Sequence, residues 1–180
     1  MPTVFSHAVV GLAIATTTRS RDSIRRLGLA AALCAAVPDL DVVGIWLGVP
    51  WGHRLGHRGI THSLPFAAVL AVVVVAAAFR PNAWDGRRLG LGLALFAATA
   101  SHGVLDAMTD GGLGVAFFAP FDDARYFLPW RPIPVSPISA SRFFSDRGLA
   151  IMQAEVLLIW LPAAILLLVT LGFRLRGGRG

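Results

Sequence analysis

Two stretches without a single charge set the strongest limit on how this chain can fold: "LPFAAVLAVVVVAAAF" at 64–79 and "VLLIWLPAAILLLVTLGF" at 156–173. A membrane-crossing helix needs about 20 predominantly apolar residues, with a range of ~17–25. Inside lipid every backbone N–H and C=O must be satisfied within the protein, which leaves helices or closed barrels. The second run extends backwards through Glu155 and "LAIMQA" to a comfortable crossing length, and the first is near the minimum. Residues 89–105 form a further candidate. Residues 3–18 and 27–37 form two weaker ones, the latter continuing past "PDLD" at 38–41 into "VVGIWLGV". The expected fold is all-α: a polytopic membrane helical bundle of about five embedded helices in one domain, 1–180. The Pro- and Gly-rich connection 107–147 is expected to cap one face of it.

Composition agrees with a membrane solvent. Hydrophobic residues make up 56 % of the chain and charged residues 14 %, against about 25 % charged in ordinary soluble domains. The net charge of +6 raises nucleic-acid binding as a class. The arginines lie in short clusters between apolar runs, however, so no nucleic-acid partner is expected. Cys34 is the only cysteine, which rules out an internal disulfide and a thiolate zinc cluster. The apolar N-terminal stretch has no basic residue ahead of it and carries His7, so it is read as a retained helix, with a cleaved signal peptide as the alternative.

Arginine placement sets an expected orientation. Segments 19–26, 80–88 and the tail from Arg174 hold ten arginines against two acids, Asp22 and Asp85; the other connections hold six arginines. The positive-inside rule then puts the first set in the cytoplasm, with the N-terminus outside and the C-terminus inside. In that arrangement His7, Asp39, Asp41, His53, His57, His62, His102 and Asp106 all gather at the outer face.

In "HGVLD", His102 and Asp106 are four residues apart and stack on one helical face. They read either as a metal-binding pair or as a pair closing a buried helix end. In "PDLD", extended backbone would point Asp39 and Asp41 the same way, where a divalent ion would relieve their repulsion; the alternative is a hydrated turn. In "GHRLGHRGITHS", a helical turn would put His53 and His57 on one face and Arg54 and Arg58 on a neighbouring one, and Gly59 permits a bend before Thr61 and His62. His53 is the most expendable of these histidines. Together the donors suit Zn²⁺, with Mn²⁺ or Fe²⁺ as further options. Without thiolates, the set argues for a catalytic site, in which zinc lowers the pKa of its water to about 7. Arg58, with Arg125 or Arg131, is a candidate fork for an anionic group. Glu155 is an acid inside a span, and so a functional candidate by default, as a base beyond the ligands or as a structural group. Thr61 and Ser63 are read as caps or hydrogen-bond donors behind the ligands, since no G-x-S-x-G elbow is present.

An early helix with a histidine, then "PDLD", "HRGITHS", "HGVLD" with "MTDGGLGV", and "APF…ARYFLP" together resemble the YdjM-like family of LexA-regulated, membrane-bound metal-dependent hydrolases. The likeness covers roughly residues 3–135, and "HRGITHS" is its most specific element. A fainter similarity links the order of motifs to zinc-dependent phospholipase C and single-strand-specific zinc nucleases. Carried over by position, that similarity implies His7, Asp39 or Asp41, His57 or His62, His102 and Asp106 as ligands. Those enzymes have further histidines late in the chain, whereas this chain has none after His102, so one or two ions are implied in place of three. The likeness places "DGG" where family members often have a proline, which leaves Asp110 as an extra acid or a turn residue.

The expected function is hydrolysis of a phosphoester in a lipid or lipid-linked substrate by metal-activated water. His7, Asp39, Asp41, His57, His62, His102 and Asp106 are expected at the metal, with Asp39, Arg58 and Glu155 in catalytic roles. The expected location is a bacterial inner membrane. The rival is a non-catalytic metal transporter or sensor, which would spread polar residues through the bilayer midplane instead of gathering them at one end.

Overall fold

The computed structural model describes residues 1–18, 24–79, 86–136 and 143–177. Arg19, Arg21, Asp22, Arg80, Asp85, Arg142 and Arg179, which fall in the connections counted for charge above, lie outside the described residues.

The apolar runs become helices. α1 is Val4–Thr17, α2 Ile24–Ala36, α3 Val42–Trp46, α4 Leu64–Phe79, α5 Gly86–Ala107, α6 Asp146–Glu155 and α7 Leu161–Gly177. Between α2 and α3 the chain tightens into a 3₁₀ turn at Val37–Asp41. Pro38 has no N–H to donate, and it sits in the first turn of that element, where the N–H would be unpaired anyway. α2, the turn and α3 thus form one apolar segment, Ile24–Trp46. Between α6 and α7 a π turn, Val156–Trp160, precedes Pro162, which cannot continue the i→i−4 ladder. No named strand occurs among the described residues, only two isolated bridges, Thr109 with Ile133 and Val115 with Tyr126.

The five apolar segments expected from the sequence are all helical. Three are long and apolar enough to cross a membrane: Ile24–Trp46 with 23 residues, Arg88–Ala107 with 20 and Asp146–Arg174 with 29. Val4–Thr17 and Leu64–Phe79 are shorter apolar helices. α1 and α4 nevertheless pack against the longer helices, around a core that includes Ala15, Leu27, Ala31, Ala35, Ala71, Val75, Leu91, Leu95 and Ala98.

Small residues make that packing close, as in membrane bundles generally. At Gly11 an added Cβ would lie 2.5 Å from the Ala31 carbonyl oxygen and 2.8 Å from Ala35 Cβ. α1 therefore rests directly on α2, which fixes the height of His7. Further along, Thr16 and Thr170 share a hydrogen bond of 2.7 Å that ties α1 to α7.

The sequence left two local conformations to be corrected. Asp39 and Asp41 are not extended. In a 3₁₀ turn of three residues per turn, side chains two apart diverge, so the two carboxylates approach the site from different directions. The stretch around His53–Arg58 forms turns and not a helical turn, so His53 and His57 share no face.

Candidate metal centre

Four ligand-type side chains meet where three elements converge. Asp39 comes from the 3₁₀ turn after α2, His62 from a second 3₁₀ turn at Ile60–His62, and His102 and Asp106 from the last turns of α5. Each offers one ligand atom, and these atoms all lie within 4.8 Å of one another. His62 Nε2 is 3.0 Å from His102 Nε2 and 3.4 Å from Asp106 Oδ2. Asp39 Oδ1 is 3.3 Å from His102 Nε2 and 3.9 Å from His62 Nε2. A tetrahedral ion with bonds of 2.0–2.1 Å would hold its ligand atoms roughly 3.3–3.4 Å apart, so small adjustments bring this set to coordination distance.

The polar groups of the cluster are not otherwise satisfied. Both oxygens of Asp39 and Asp106 and both ring nitrogens of His7 are buried without a hydrogen-bond partner. Buried carboxylates are normally paired or coordinate metals. Arg58 Nε does lie 3.0 Å from Asp106 Oδ2, a charge contact without hydrogen-bond alignment. It offsets one negative charge and leaves the lone pairs free for an ion.

Groups behind the cluster orient the imidazoles. His102 Nδ1 lies 2.7 Å from the Ala35 carbonyl, which can only accept; Nδ1 therefore carries the proton and Nε2 is bare when the ring is neutral. His62 Nδ1 lies 3.2 Å from Asp41 Oδ2, turning its Nε2 inward. Such partners behind a ligand fix the tautomer and ring plane. Asp41 is itself held from three sides, since His57 Nδ1 is 2.8 Å from its Oδ1 and Thr61 Oγ1 donates to its Oδ2 at 2.7 Å. Burial alone would lower the His62 pKa, but Asp106 and Asp41 on either side outweigh it and raise the value to about 9.

The remaining candidates fall in distinct places. His7 is fully buried and stacks on His102 with ring centroids 3.6 Å apart, its Nε2 3.6 Å from Asp106 Oδ1. His57 faces Asp41 and is not in the four-residue group; Asp41, His57 and His62 form a second, adjoining group. His53 is exposed. Asp110 accepts from the Val135 backbone N–H at 2.8 Å, a turn clamp away from the cluster. Arg58 is buried, and its guanidinium donates to Leu113 O at 2.6 Å and Thr109 Oγ1 at 3.0 Å. Arg125 donates to the carbonyls of His57 and Gly114, and Arg131 lies over the Phe127 ring. Glu155 is buried among Thr3 and Ser6, accepting from the Thr3 backbone N–H at 2.8 Å and from both hydroxyls. It fastens the start of α1, the helix that carries His7. Ser63 Oγ donates to Ile60 O and accepts from Phe66 N–H at the start of α4.

Two contributors had not been singled out from the sequence. The Ala35 carbonyl sets the His102 tautomer, and no side-chain pattern announces it. Gly103 lets the His62 turn approach α5, because an added Cβ would lie 2.9 Å from the His62 carbonyl oxygen. A glycine directly after a helical histidine was the available signal.

These features define an integral-membrane helical protein with a buried aspartate–histidine cluster that can hold a metal ion. The chain belongs to the YdjM inner membrane protein family, which it matches over residues 1–178. It is 39 % identical over 170 residues to the inner membrane protein YbcI of Escherichia coli (strain K12), covering 93 % of this chain and 95 % of that protein. An inner-membrane location follows from that kinship. No solved structure matches the chain.

Proposed function

We propose that the protein is a metal-dependent hydrolase of the inner membrane. It would bind Zn²⁺ through Asp39, His62, His102 and Asp106 and cleave a phosphoester in a lipid or lipid-linked substrate. The observation that carries this reading is the pair of inward Nε2 atoms, His62 and His102, set 3.0 Å apart beside two buried carboxylates that lack hydrogen-bond partners. A bound ion supplies an activated water and an electrophile for a phosphoryl oxygen.

The chain's own residues divide the remaining work. Asp39 borders a groove, and in this reading the carboxylate oxygen not bound to the ion would take the proton of the attacking water. Asp41 orients His62 and is satisfied by three donors, so a single ion at the four-residue group is the simplest assignment. His57 steadies Asp41. His7 packs on His102 and faces Asp106, closing the cluster on its remaining side. Arg58 holds Asp106 and the 109–113 loop, and Glu155 positions α1. The arginine distribution supports a site at the outer face with the C-terminus in the cytoplasm.

Purified wild type, His62→Ala and Asp106→Ala are compared for bound zinc and for turnover of bis-p-nitrophenyl phosphate. Wild type is expected to hold about one ion and turn over, and both variants to lose both properties. A wild-type protein that is zinc-loaded yet inert toward phosphodiesters, including lipid ones, would overturn the hydrolase reading.

A further inference from the structure

A groove of about 550 Å³ runs from Asp39 between the start of α1 and the α2–α3 turn. Its walls include Phe5, Leu40, Val43, Trp46, Phe143 and Phe144. Leu40, Trp46 and Phe144 are 67 %, 75 % and 85 % exposed, a row of large apolar side chains that would be costly to leave in water. Among the described residues of the four-residue cluster, Asp39 alone also lines this groove. The volume lies within the roughly 300–1,000 Å³ usual for small-ligand sites.

The groove lies where the Ile24–Trp46 segment, long and apolar enough to cross the membrane, reaches its end. A crossing by that segment would put the groove's mouth near headgroup depth, with lipid outside it. We infer that this groove takes one hydrocarbon tail of a membrane phospholipid from the bilayer and so presents the adjoining phosphoester to the Asp39–His62–His102–Asp106 cluster. The inference rests on the hydrolase reading for its chemistry, and it narrows the substrate to a phosphoester that carries a long alkyl chain. Trp46 at the rim suits the interface between chain and headgroup, and Asp39 marks the end where apolar lining gives way to the cluster. No bond is made or broken in the groove itself.

Two measurements test it. In the first, p-nitrophenyl phosphodiesters with methyl to octyl chains, kept monomeric, are supplied to zinc-loaded protein in amphipol. kcat/KM should rise by about fourfold for each methylene that enters the groove. The octyl-to-methyl ratio should collapse in Val43→Trp, which fills the groove, and in Leu40→Asp, which charges its wall. In the second, native mass spectrometry of detergent-purified protein with added phosphatidylglycerol should show one retained lipid on wild type and none on either variant. Equal kcat/KM for methyl and octyl esters with no retained lipid would overturn the groove assignment and leave the hydrolase reading standing. Lipid retained by wild type and lost by both variants, with no ester cleaved, would support the groove and overturn the hydrolase reading. A dimer that Val43→Trp dissociates would give the groove to a second copy of this chain and overturn the proposal.

Discussion

The Nε2 atoms of His62 and His102 face each other across 3.0 Å, and only one of them can carry a proton. His102 donates its Nδ1–H to the Ala35 carbonyl and keeps that proton. His62, raised to about 9 by Asp106 and Asp41 against the effect of burial, is an imidazolium at neutral pH and donates through Nε2. That proton occupies the position an ion would take. Metal binding must expel it, because a ligating imidazole is neutral. Below about pH 9, zinc affinity is therefore expected to rise about tenfold per pH unit from this group alone. Calorimetric titration at pH 7 in buffers of different ionisation enthalpy should register about one proton released per ion. The metal-free protein behaves oppositely: its His62 stabilisation is fully present below the ordinary histidine value of 6.5 and is lost as pH rises through about 9.

Asp41 meets the cluster through His62 Nδ1, 3.2 Å from its Oδ2. Asp41→Asn should weaken zinc binding by about 10–100-fold, the usual cost of removing a group that orients a ligand. Asp106→Asn should abolish binding under the same conditions. Competition with a chelator of known affinity separates the two. Equal losses would promote Asp41 to a direct ligand.

Glu155 makes the opposite prediction. It accepts three hydrogen bonds from Thr3 and Ser6 and is absent from both candidate metal groups. Glu155→Ala leaves buried donors unpaired, which costs about 1–3 kcal/mol. The melting temperature in detergent should drop while the intact fraction keeps its zinc stoichiometry. A stable variant without zinc would place Glu155 in the site.

How much of this arrangement was legible in the sequence depends on how local the determinant was. The helical runs at 64–79 and 156–173 were legible because lipid allows a long uncharged segment few conformations. His102 and Asp106 share a face by helical spacing alone, so their proximity was legible too. The choice between His57 and His62 was not, since both lie in one irregular segment before α4. The 3₁₀ turn at Ile60–His62 and the space Gly103 leaves beside it bring His62 into the four-residue group, while His57 falls in the adjoining one. Arg58 was read as a fork for an anion, but it has a φ of 62° and a buried side chain. Nothing short of the folded 109–113 loop indicates that its donors are used there. The geometry at Asp39 and Asp41 turned on whether Pro38 starts an extended stretch or a 3₁₀ turn, and proline is compatible with both.

Glycines on α1, and on α5 at contrasting positions, give the last prediction. Alanine is ordinarily the better helix former, by about 1 kcal/mol over glycine. Gly92 has nothing within 4 Å of an added Cβ, so Gly92→Ala should be neutral or stabilising by up to that amount. Gly11→Ala would force a Cβ to 2.5 Å from the Ala31 carbonyl oxygen, a backbone atom that cannot rotate away. The overpacking should cost about 1–3 kcal/mol and part α1 from α2. Gly103→Ala meets the His62 carbonyl at 2.9 Å, and the turn that yields is the one holding a candidate ligand. Its melting temperature should change less than that of Gly11→Ala, because one short turn moves and not a helix pair. Its zinc affinity should fall further than in either other variant. Melting curves and chelator competition on the three proteins give the two rankings, and an unchanged zinc affinity in Gly103→Ala would mean that His62 does not depend on this close approach.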